Sequence, residues 1–250
     1  MIDVHAHLGD GLFGLSLTVD DLLASMAANG IEHTIVSPLK PITYQFGPAN
    51  DALAAAVSAH PQQLSGLGRV DPWQGADAVQ EAVRCLDDLG LAGLFLHPDE
   101  EHFPANDEIV FPLMEILRDR QRPLMLAGGY RGTSHPSQIG DLARQFPDVT
   151  IVATHGGQLN ISGMLLLDAM RMFQAHPNVL FETSGVYRED FIEDVVTELG
   201  VERVLFGSNA PYMDQGFETL RVSLAHCSDD QKRQIGRENA VRVFQLPVLP

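Results

Sequence analysis

Two histidines separated by a single residue lie at the start of the chain. Residues 1–7 read MIDVHAH, a mostly apolar run that predicts a buried strand. Because side chains alternate across a strand, we expect Asp3, His5 and His7 on one side of it. Two imidazoles at one strand end can converge on a single ion, so His5 and His7 are candidate metal ligands. Taken alone, the pair is equally compatible with ordinary core or surface histidines.

Seven further apolar runs follow, and helix-like amphipathic segments separate them. The predicted strands cover residues 33–38, 64–71, 91–98, 123–128, 149–155, 179–185 and 204–210. Near-continuous apolar runs are typical of parallel strands that are buried on both faces. Eight strand–helix units in 250 residues predict a (β/α)8 TIM barrel, α/β in class, as a single domain over residues 1–250. A doubly wound open sheet is the alternative.

The reactive side chains of such a barrel lie at the carboxyl ends of its strands. His97 ends the fourth predicted strand and His155 the sixth, while Glu182 and Asn209 lie near the ends of the seventh and eighth. Each histidine taken singly could be an ordinary buried residue. Four histidines at strand ends are more than a structural barrel needs, and we therefore expect them to converge on one site.

These strand ends resemble those of the amidohydrolase superfamily. The likeness is strongest to the amidohydrolase-2 branch, which includes decarboxylases of the aminocarboxymuconate-semialdehyde type. The matching segments are IDVHAH at 2–7, FPDVTIVATHGG at 146–157, LFGSNAP at 205–211 and IGRENA at 235–240. The resemblance implies that His5 and His7 are the first two metal ligands, and that His155 either binds metal or transfers a proton.

Two positions depart from the pattern of that family. The fifth strand usually ends in a ligand histidine, and here it has Ala127. The eighth usually ends in an aspartate that binds metal and takes a proton from water, and here it has Asn209. A neutral amide offers an oxygen to a metal but cannot accept a proton at useful pH. His97 is our first candidate for the missing ligand, and His135, in the loop after the fifth strand, is the weaker one.

Three functions remain open on this basis. The first, which we favour, is a metal-dependent hydrolase, acting on a C–N or C–O bond, or a decarboxylase, with His155 or Glu182 as the base. Its cofactor would be zinc, or else manganese, and zinc would lower the pKa of bound water to about 7. The second is metal-free chemistry like that of the branch's pyrone-dicarboxylate lactonase. The third is a ligand-binding paralogue without turnover.

Three arginines and one aromatic residue predict a small anionic substrate. Arg69 ends the third strand, Arg131 follows the fifth, and Arg188 follows the seventh. Guanidinium groups pair with carboxylates in bidentate geometry, so these arginines could bind a carboxylated substrate. The alternative is that they form salt bridges with acidic residues at the rim of the barrel. Tyr44 lies in a loop, residues 38–48, that would cover the site together with residues 97–104.

The charge balance argues against two classes of partner. The formal net charge is -17 and no cluster of Lys and Arg is present, which disfavours nucleic acid and anionic membranes. No stretch approaches the roughly 18 apolar residues of a membrane span, and no basic, apolar leader precedes the first strand. With two cysteines, a disulfide framework is not expected. We predict a cytoplasmic protein that is able to form a homo-oligomer.

Overall fold

One curved sheet organises the structure, a computed structural model that describes residues 1–12, 14–158, 165–186, 188 and 190–246. Its parallel strands follow one another in chain order. They are β1 (Ile2–Asp10), β2 (His33–Pro38), β3 (Leu64–Arg69), β4 (Gly93–Leu96), β5 (Leu124–Leu126), β6 (Ile151–Ala153), β7 (Val179–Glu182) and β8 (Val204–Leu205). A further two-residue strand, Ser16–Leu17, pairs antiparallel with the end of β1.

Helices connect the strands. They are α1 (Val19–Asn29), α2 (Phe46–Ala59), α3 (Ala76–Asp87), α4 (Phe111–Arg120), α5 (Pro136–Gln145), α6 (Leu166–Ala175), α7 (Phe191–Leu199), α8 (Gln215–Leu224), α9 (Asp229–Arg233) and α10 (Asn239–Phe244). Close packing of helix on strand needs a small residue at Gly68, where an added Cβ would lie 2.6 Å from Cβ of Cys85 on α3. No helix in the described ranges is long and apolar enough to cross a membrane.

The sheet closes between its first and last parallel strands. Asn209 N donates to the carbonyl of His5 at 2.6 Å, and His7 N donates to the carbonyl of Ala210 at 2.7 Å. These bonds complete an eight-stranded barrel, which confirms the predicted (β/α)8 fold over the open-sheet alternative. They also place Asn209 directly beside the histidine pair of β1.

The interior of the barrel is apolar below the histidines. Every barrel strand contributes to one buried cluster, which includes Ile2, Val4 and Phe95. Side chains from the end of the chain, among them Val243 and Phe244 of α10, belong to the same cluster. A second, larger cluster packs the helices against the outer faces of the strands. The polar residues at the upper end of the barrel therefore rest on a packed apolar floor.

The strict alternation that we expected along β1 does not hold. The register of β1 against β2 shifts between Asp3 and Ala6, as it does at a bulge. Ile2 and Val4 consequently join the interior cluster instead of facing away from the two histidines. The extra residue lets the apolar floor and the histidines above it share the inner face of one strand.

Candidate active site

Four histidines line one small cavity at the carboxyl ends of the strands. His5 and His7 belong to β1, His97 follows β4, and His155 follows β6. The ring centroid of His5 lies 5.0 Å from that of His7 and 5.6 Å from that of His155. The structure therefore brings together the four side chains that the sequence singled out.

Aromatic side chains form much of the remaining wall. The cavity is also lined by Phe95, Ala127, Tyr130, Asn209 and Tyr212. The Phe95 ring lies beneath the histidines, with its centroid 5.1 Å from that of His7. The volume between these groups is about 20 Å³, which is room for one water molecule or one ion. A substrate larger than that needs the mouth of the cavity to open.

Glu182 of β7 orients the imidazole of His5. Nδ1 of His5 lies 3.2 Å from Oε2 of Glu182, and both side chains are buried. A carboxylate only accepts hydrogen bonds, so Nδ1 carries a hydrogen, and in the neutral tautomer with that hydrogen Nε2 keeps a lone pair. That Nε2 is buried and has no hydrogen-bond partner among the described residues. A bare ring nitrogen with a carboxylate behind it is the arrangement of a metal-binding histidine.

The carboxylate of Glu182 is fully engaged by its neighbours. It accepts from the backbone N of His155 at 3.1 Å, from the backbone N of Ser184 at 2.6 Å and from the Ser184 hydroxyl at 2.8 Å. Burial raises the pKa of Glu182, but the neighbouring His5 and His155 outweigh it, and the pKa is lowered overall. Glu182 therefore stays ionised. It lies behind the imidazoles and is not part of the cavity lining, so its position differs from that expected of the catalytic base that we predicted.

His155 also presents an unprotonated nitrogen. Its Nδ1 lies 3.1 Å from the carbonyl oxygen of Ser184, which only accepts, so Nδ1 carries the hydrogen. Burial lowers the pKa of His155 to about 4, against the opposing influence of Glu182. The next residue, Gly156, has φ 58°, and an added Cβ there would lie 2.4 Å from the ring of Phe181. Glycine at 156 thus permits the tight turn that directs His155 inward.

His97 has the opposite tautomer. The backbone N of Glu100 donates to Nδ1 of His97 at 3.1 Å. A backbone N–H can only donate, so the hydrogen of the neutral ring is on Nε2, which lies 3.4 Å from the Tyr130 hydroxyl. Burial lowers the pKa of His97 to about 3, which keeps the ring neutral. His97 therefore offers a hydrogen-bond donor to the cavity, and this geometry disagrees with the predicted role as the replacement metal ligand.

His7 and Asn209 are bonded to each other. Nδ1 of His7 lies 2.8 Å from the Ser37 hydroxyl, and Nε2 lies 3.1 Å from Oδ1 of Asn209. Burial, together with the nearby His5 and Arg69, lowers the pKa of His7 well below its ordinary value. The imidazole is therefore neutral, and Nε2 carries its hydrogen because an amide oxygen only accepts. Nε2 would bind an ion only after that hydrogen has moved to Nδ1, which can donate to the Ser37 hydroxyl, and the amide oxygen of Asn209 has turned toward the same ion.

The donors present fit a divalent ion, though with fewer strong ligands than usual. In the part of the chain that the structure describes, no three His, Cys, Asp or Glu side chains are placed to hold one ion. The candidates are Nε2 of His5, Nε2 of His7 and the neutral amide oxygen of Asn209. Catalytic zinc sites normally have three protein ligands, so two imidazoles and an amide suggest weaker retention. The unpartnered Nε2 of His5 beside an ion-sized space is what favours binding.

The three predicted substrate arginines do not reach the cavity as free cations. Arg69 is buried and pairs with Glu100 and, at 2.8 Å, with Glu101. Arg188 is exposed and pairs with Asp190 at 2.6 Å. Arg131 is exposed on the loop after β5 and is not part of the cavity wall. The alternative interpretation, in which the arginines form salt bridges with acidic residues at the rim of the barrel, therefore describes Arg69 and Arg188.

Tyr44 and His135 are also displaced from their predicted roles. Tyr44 is 56% exposed, and His135 caps α5, with Nε2 3.7 Å from Oδ2 of Asp168. Tyr130 and Tyr212, which we did not select, supply the aromatic wall instead. Both tyrosines follow the end of a barrel strand by a few residues, and this position in the sequence could have identified them as candidates.

Comparisons with known proteins give a family. A family model for amidohydrolases, Amidohydro_2, matches residues 2–246. The 2-keto-4-carboxy-3-hexenedioate hydratase of Sphingobium sp. SYK-6 is 25% identical over 223 residues, covering 74% of this chain and 63% of the hydratase. The gamma-resorcylate decarboxylase of Rhizobium sp. MTP-10005 is 23% identical over 287 residues, covering 91% of this chain and 87% of that enzyme. The chain thus spans less than two thirds of the hydratase.

A solved structure with the same fold comes from Polaromonas sp. JS666. It is a dihydroxybenzoic acid decarboxylase with bound manganese and the inhibitor 2-nitroresorcinol. It matches this structure with a TM-score of 0.78 at 18% identity, over 98% of this chain and 96% of the decarboxylase. At this identity the likeness shows that the two proteins share a fold.

Proposed function

This chain belongs to the amidohydrolase family, and from that premise we propose that it is a lyase that decarboxylates a small aromatic carboxylic acid. One observation carries the proposal. The bare Nε2 of His5 lies beside a cavity walled by imidazole and aromatic rings, and among the described residues no carboxylate is part of that wall. The decarboxylases among the relatives support the choice of substrate class.

The described part of the cavity lining contains no strong base, which favours decarboxylation over hydrolysis. Hydrolysis and hydration both need a group that takes a proton from water. Asn209 cannot do so, Glu182 is engaged outside the lining, and His155, with a pKa of about 4, is a weak base. Decarboxylation of an electron-rich ring needs no activated water. The ring carbon that bears the carboxylate gains a proton, a ring π pair forms the C–H bond, and the C–C bond then breaks so that its electron pair restores the ring as CO₂ leaves.

The residues of the site divide into three tasks under this proposal. His5, His7 and the amide oxygen of Asn209 would hold a divalent ion, zinc or the manganese present in a relative. When bound, such an ion supplies positive charge that orients and polarises substrate oxygens. Phe95 and Tyr212 would enclose the flat ring.

The remaining task is movement of the proton. His155 directs Nδ1–H to the carbonyl of Ser184, which leaves Nε2 to exchange a proton with the substrate. Its low pKa means that the imidazolium is rarely populated but strongly acidic, as protonation of a ring carbon requires. The donor on Nε2 of His97 would hold a substrate oxygen in place.

The test is CO₂ release from a set of hydroxybenzoates, with 2,6-dihydroxybenzoate included. Protein treated with chelator and then given Mn²⁺ or Zn²⁺ should release CO₂, and His5→Gln should abolish both metal retention and turnover. His155→Gln should lose turnover while it retains metal, and His60→Gln, outside the site, should behave as wild type. Binding of the acids without CO₂ release under every metal condition would instead identify a ligand-binding protein.

A further inference from the structure

The carboxylate of Glu100 contacts two side chains of the cavity wall, those of His97 and Tyr212. Arg69 donates to its Oε2 through Nη2, and the Tyr212 hydroxyl donates to its Oε1 at 2.9 Å. Nε2 of His97 lies 3.7 Å from the same Oε1. These three groups come from separate parts of the barrel rim, and two of them, His97 and Tyr212, also line the cavity.

Guanidinium, phenol and imidazole N–H are together the donors that a carboxylate ligand requires. The side chains of Arg69 and Glu100 are 1% and 8% exposed, so their contact is shielded from water. With Glu100 in place, the cavity below measures about 20 Å³, whereas pockets for organic ligands commonly measure about 300–1000 Å³. The structure thus shows an anion site that is already filled by the chain itself.

Donors from other parts of the chain hold the main-chain carbonyls of Glu100 and Glu101. Lys40 Nζ donates to the carbonyl of Glu100, and the Trp73 indole donates to the carbonyl of Glu101 at 3.0 Å. The Glu101 side chain remains paired with Arg69 at 2.8 Å. Opening the mouth therefore requires rotation of one side chain, with the backbone left in place.

We propose that Glu100 is an internal substitute for the substrate carboxylate, which displaces it from the anion site formed by Arg69, His97 and Tyr212. This inference rests on the proposed function for the substrate class. The exchange of one carboxylate for another preserves the charge balance of the buried Arg69. Rotation without an incoming anion would leave that guanidinium short of one partner, which is unfavourable for a buried charge. The mouth is accordingly selective for anions over neutral ligands of the same shape.

Binding of benzoate and of the neutral benzamide, measured by calorimetry without turnover, tests the proposal. Glu100→Ala should bind benzoate at least tenfold more tightly than wild type, with Glu100→Gln between the two. Benzamide gains the same space but brings no charge to Arg69, so its affinity should rise by clearly less than that of benzoate. Asp99→Asn is the matched control, because it removes one charge from the same loop at a carboxylate that accepts from the Thr133 hydroxyl. Its benzoate affinity should equal that of wild type.

Thermal unfolding separates a folding defect from loss of the site. Glu100→Ala should melt below wild type without ligand and regain most of that loss in benzoate. Unchanged or weaker benzoate binding by both folded Glu100 variants would overturn the proposal. Because the experiment measures binding, its outcome does not depend on turnover. Tighter benzoate binding by Glu100→Ala would support the proposal even if wild type released no CO₂. Unchanged or weaker binding would overturn it even if wild type were active.

Discussion

Nδ1 of His5 lies 3.2 Å from Oε2 of Glu182. This contact links the first barrel strand to the seventh. The imidazole that makes it is the one whose bare Nε2 lies beside the cavity. The same carboxylate accepts from the backbone N of His155 at 3.1 Å. One buried acid therefore fixes the tautomer of His5 and the backbone position of His155. Rings that could otherwise rotate independently are held in a single arrangement.

Glu182→Gln should weaken metal binding while the protein still folds. An amide can present its NH₂ to Nδ1 of His5, so the hydrogen is no longer confined to that nitrogen, and Nε2 becomes a poorer ligand. Loss of such an oriented partner typically lowers metal affinity by roughly 10- to 100-fold. Titration with Mn²⁺ and Zn²⁺ against a competing chelator measures this. Glu198→Gln, on the exposed face of α7, is the control, and equal affinities in both variants would refute the prediction.

Asn209→Asp should strengthen metal binding. The substitution places a carboxylate oxygen where Oδ1 now lies, 3.1 Å from Nε2 of His7, and so adds a negative ligand to two neutral imidazoles. We expect a gain of at least about tenfold, or roughly 1.4 kcal/mol. The same chelator titration measures it, with Asn106→Asp as a control for net charge. A gain no larger than that of the control would mean that residue 209 does not reach the ion.

His97→Gln should flatten the dependence of stability on acid pH. Burial lowers the pKa of His97 to about 3, whereas an unfolded histidine titrates near roughly 6.5. Between these values the unfolded chain binds a proton that the folded chain does not, so stability falls as pH falls. Each such histidine contributes a slope of about 1.4 kcal/mol per pH unit.

Urea unfolding of the metal-free protein at pH 7, 6 and 5 measures that slope. Glutamine can still accept from the backbone N of Glu100, so removal of the titration should be the main effect of the substitution. We expect the free energy of unfolding to fall less steeply for His97→Gln than for wild type. An unaltered slope in His97→Gln would show that this ring is protonated in the folded state.

Asp3→Asn should destabilise the closure of the barrel. The buried carboxylate accepts from the backbone N of Ser208 at 2.9 Å, from its hydroxyl at 2.5 Å and from Gln215 Nε2 at 2.8 Å. The side-chain NH₂ of asparagine would face some of these donors and cannot accept from them. We expect this to lower the free energy of unfolding by about 1–3 kcal/mol. Chemical denaturation measures the loss, and Ser208→Ala, which removes a single hydroxyl, should lose less. Full stability of the asparagine variant would argue against this role.

Much of the fold and the core of the site followed from local sequence pattern. Apolar runs of strand length separated by amphipathic segments predicted the barrel, and the family match confirms the resemblance read from the strand ends. The convergence of His5, His7 and His155 was predictable because parallel barrel strands bring their carboxyl ends to one rim. The alanine and asparagine at positions 127 and 209 were likewise visible in the sequence alone.

The partner of each polar group was decided only by the tertiary structure. His5 and Glu182 are 177 residues apart, so the tautomer of His5 depends on how the barrel closes and has no local signature. Arg69 was expected to meet a substrate, but a distant loop supplies Glu100 and Glu101, which neutralise it first. Strand patterns fix which residues reach the rim, because that follows from backbone geometry. Which donor meets which acceptor there depends on loops whose sequences carry no such periodicity, and this is why only the folded chain specifies it.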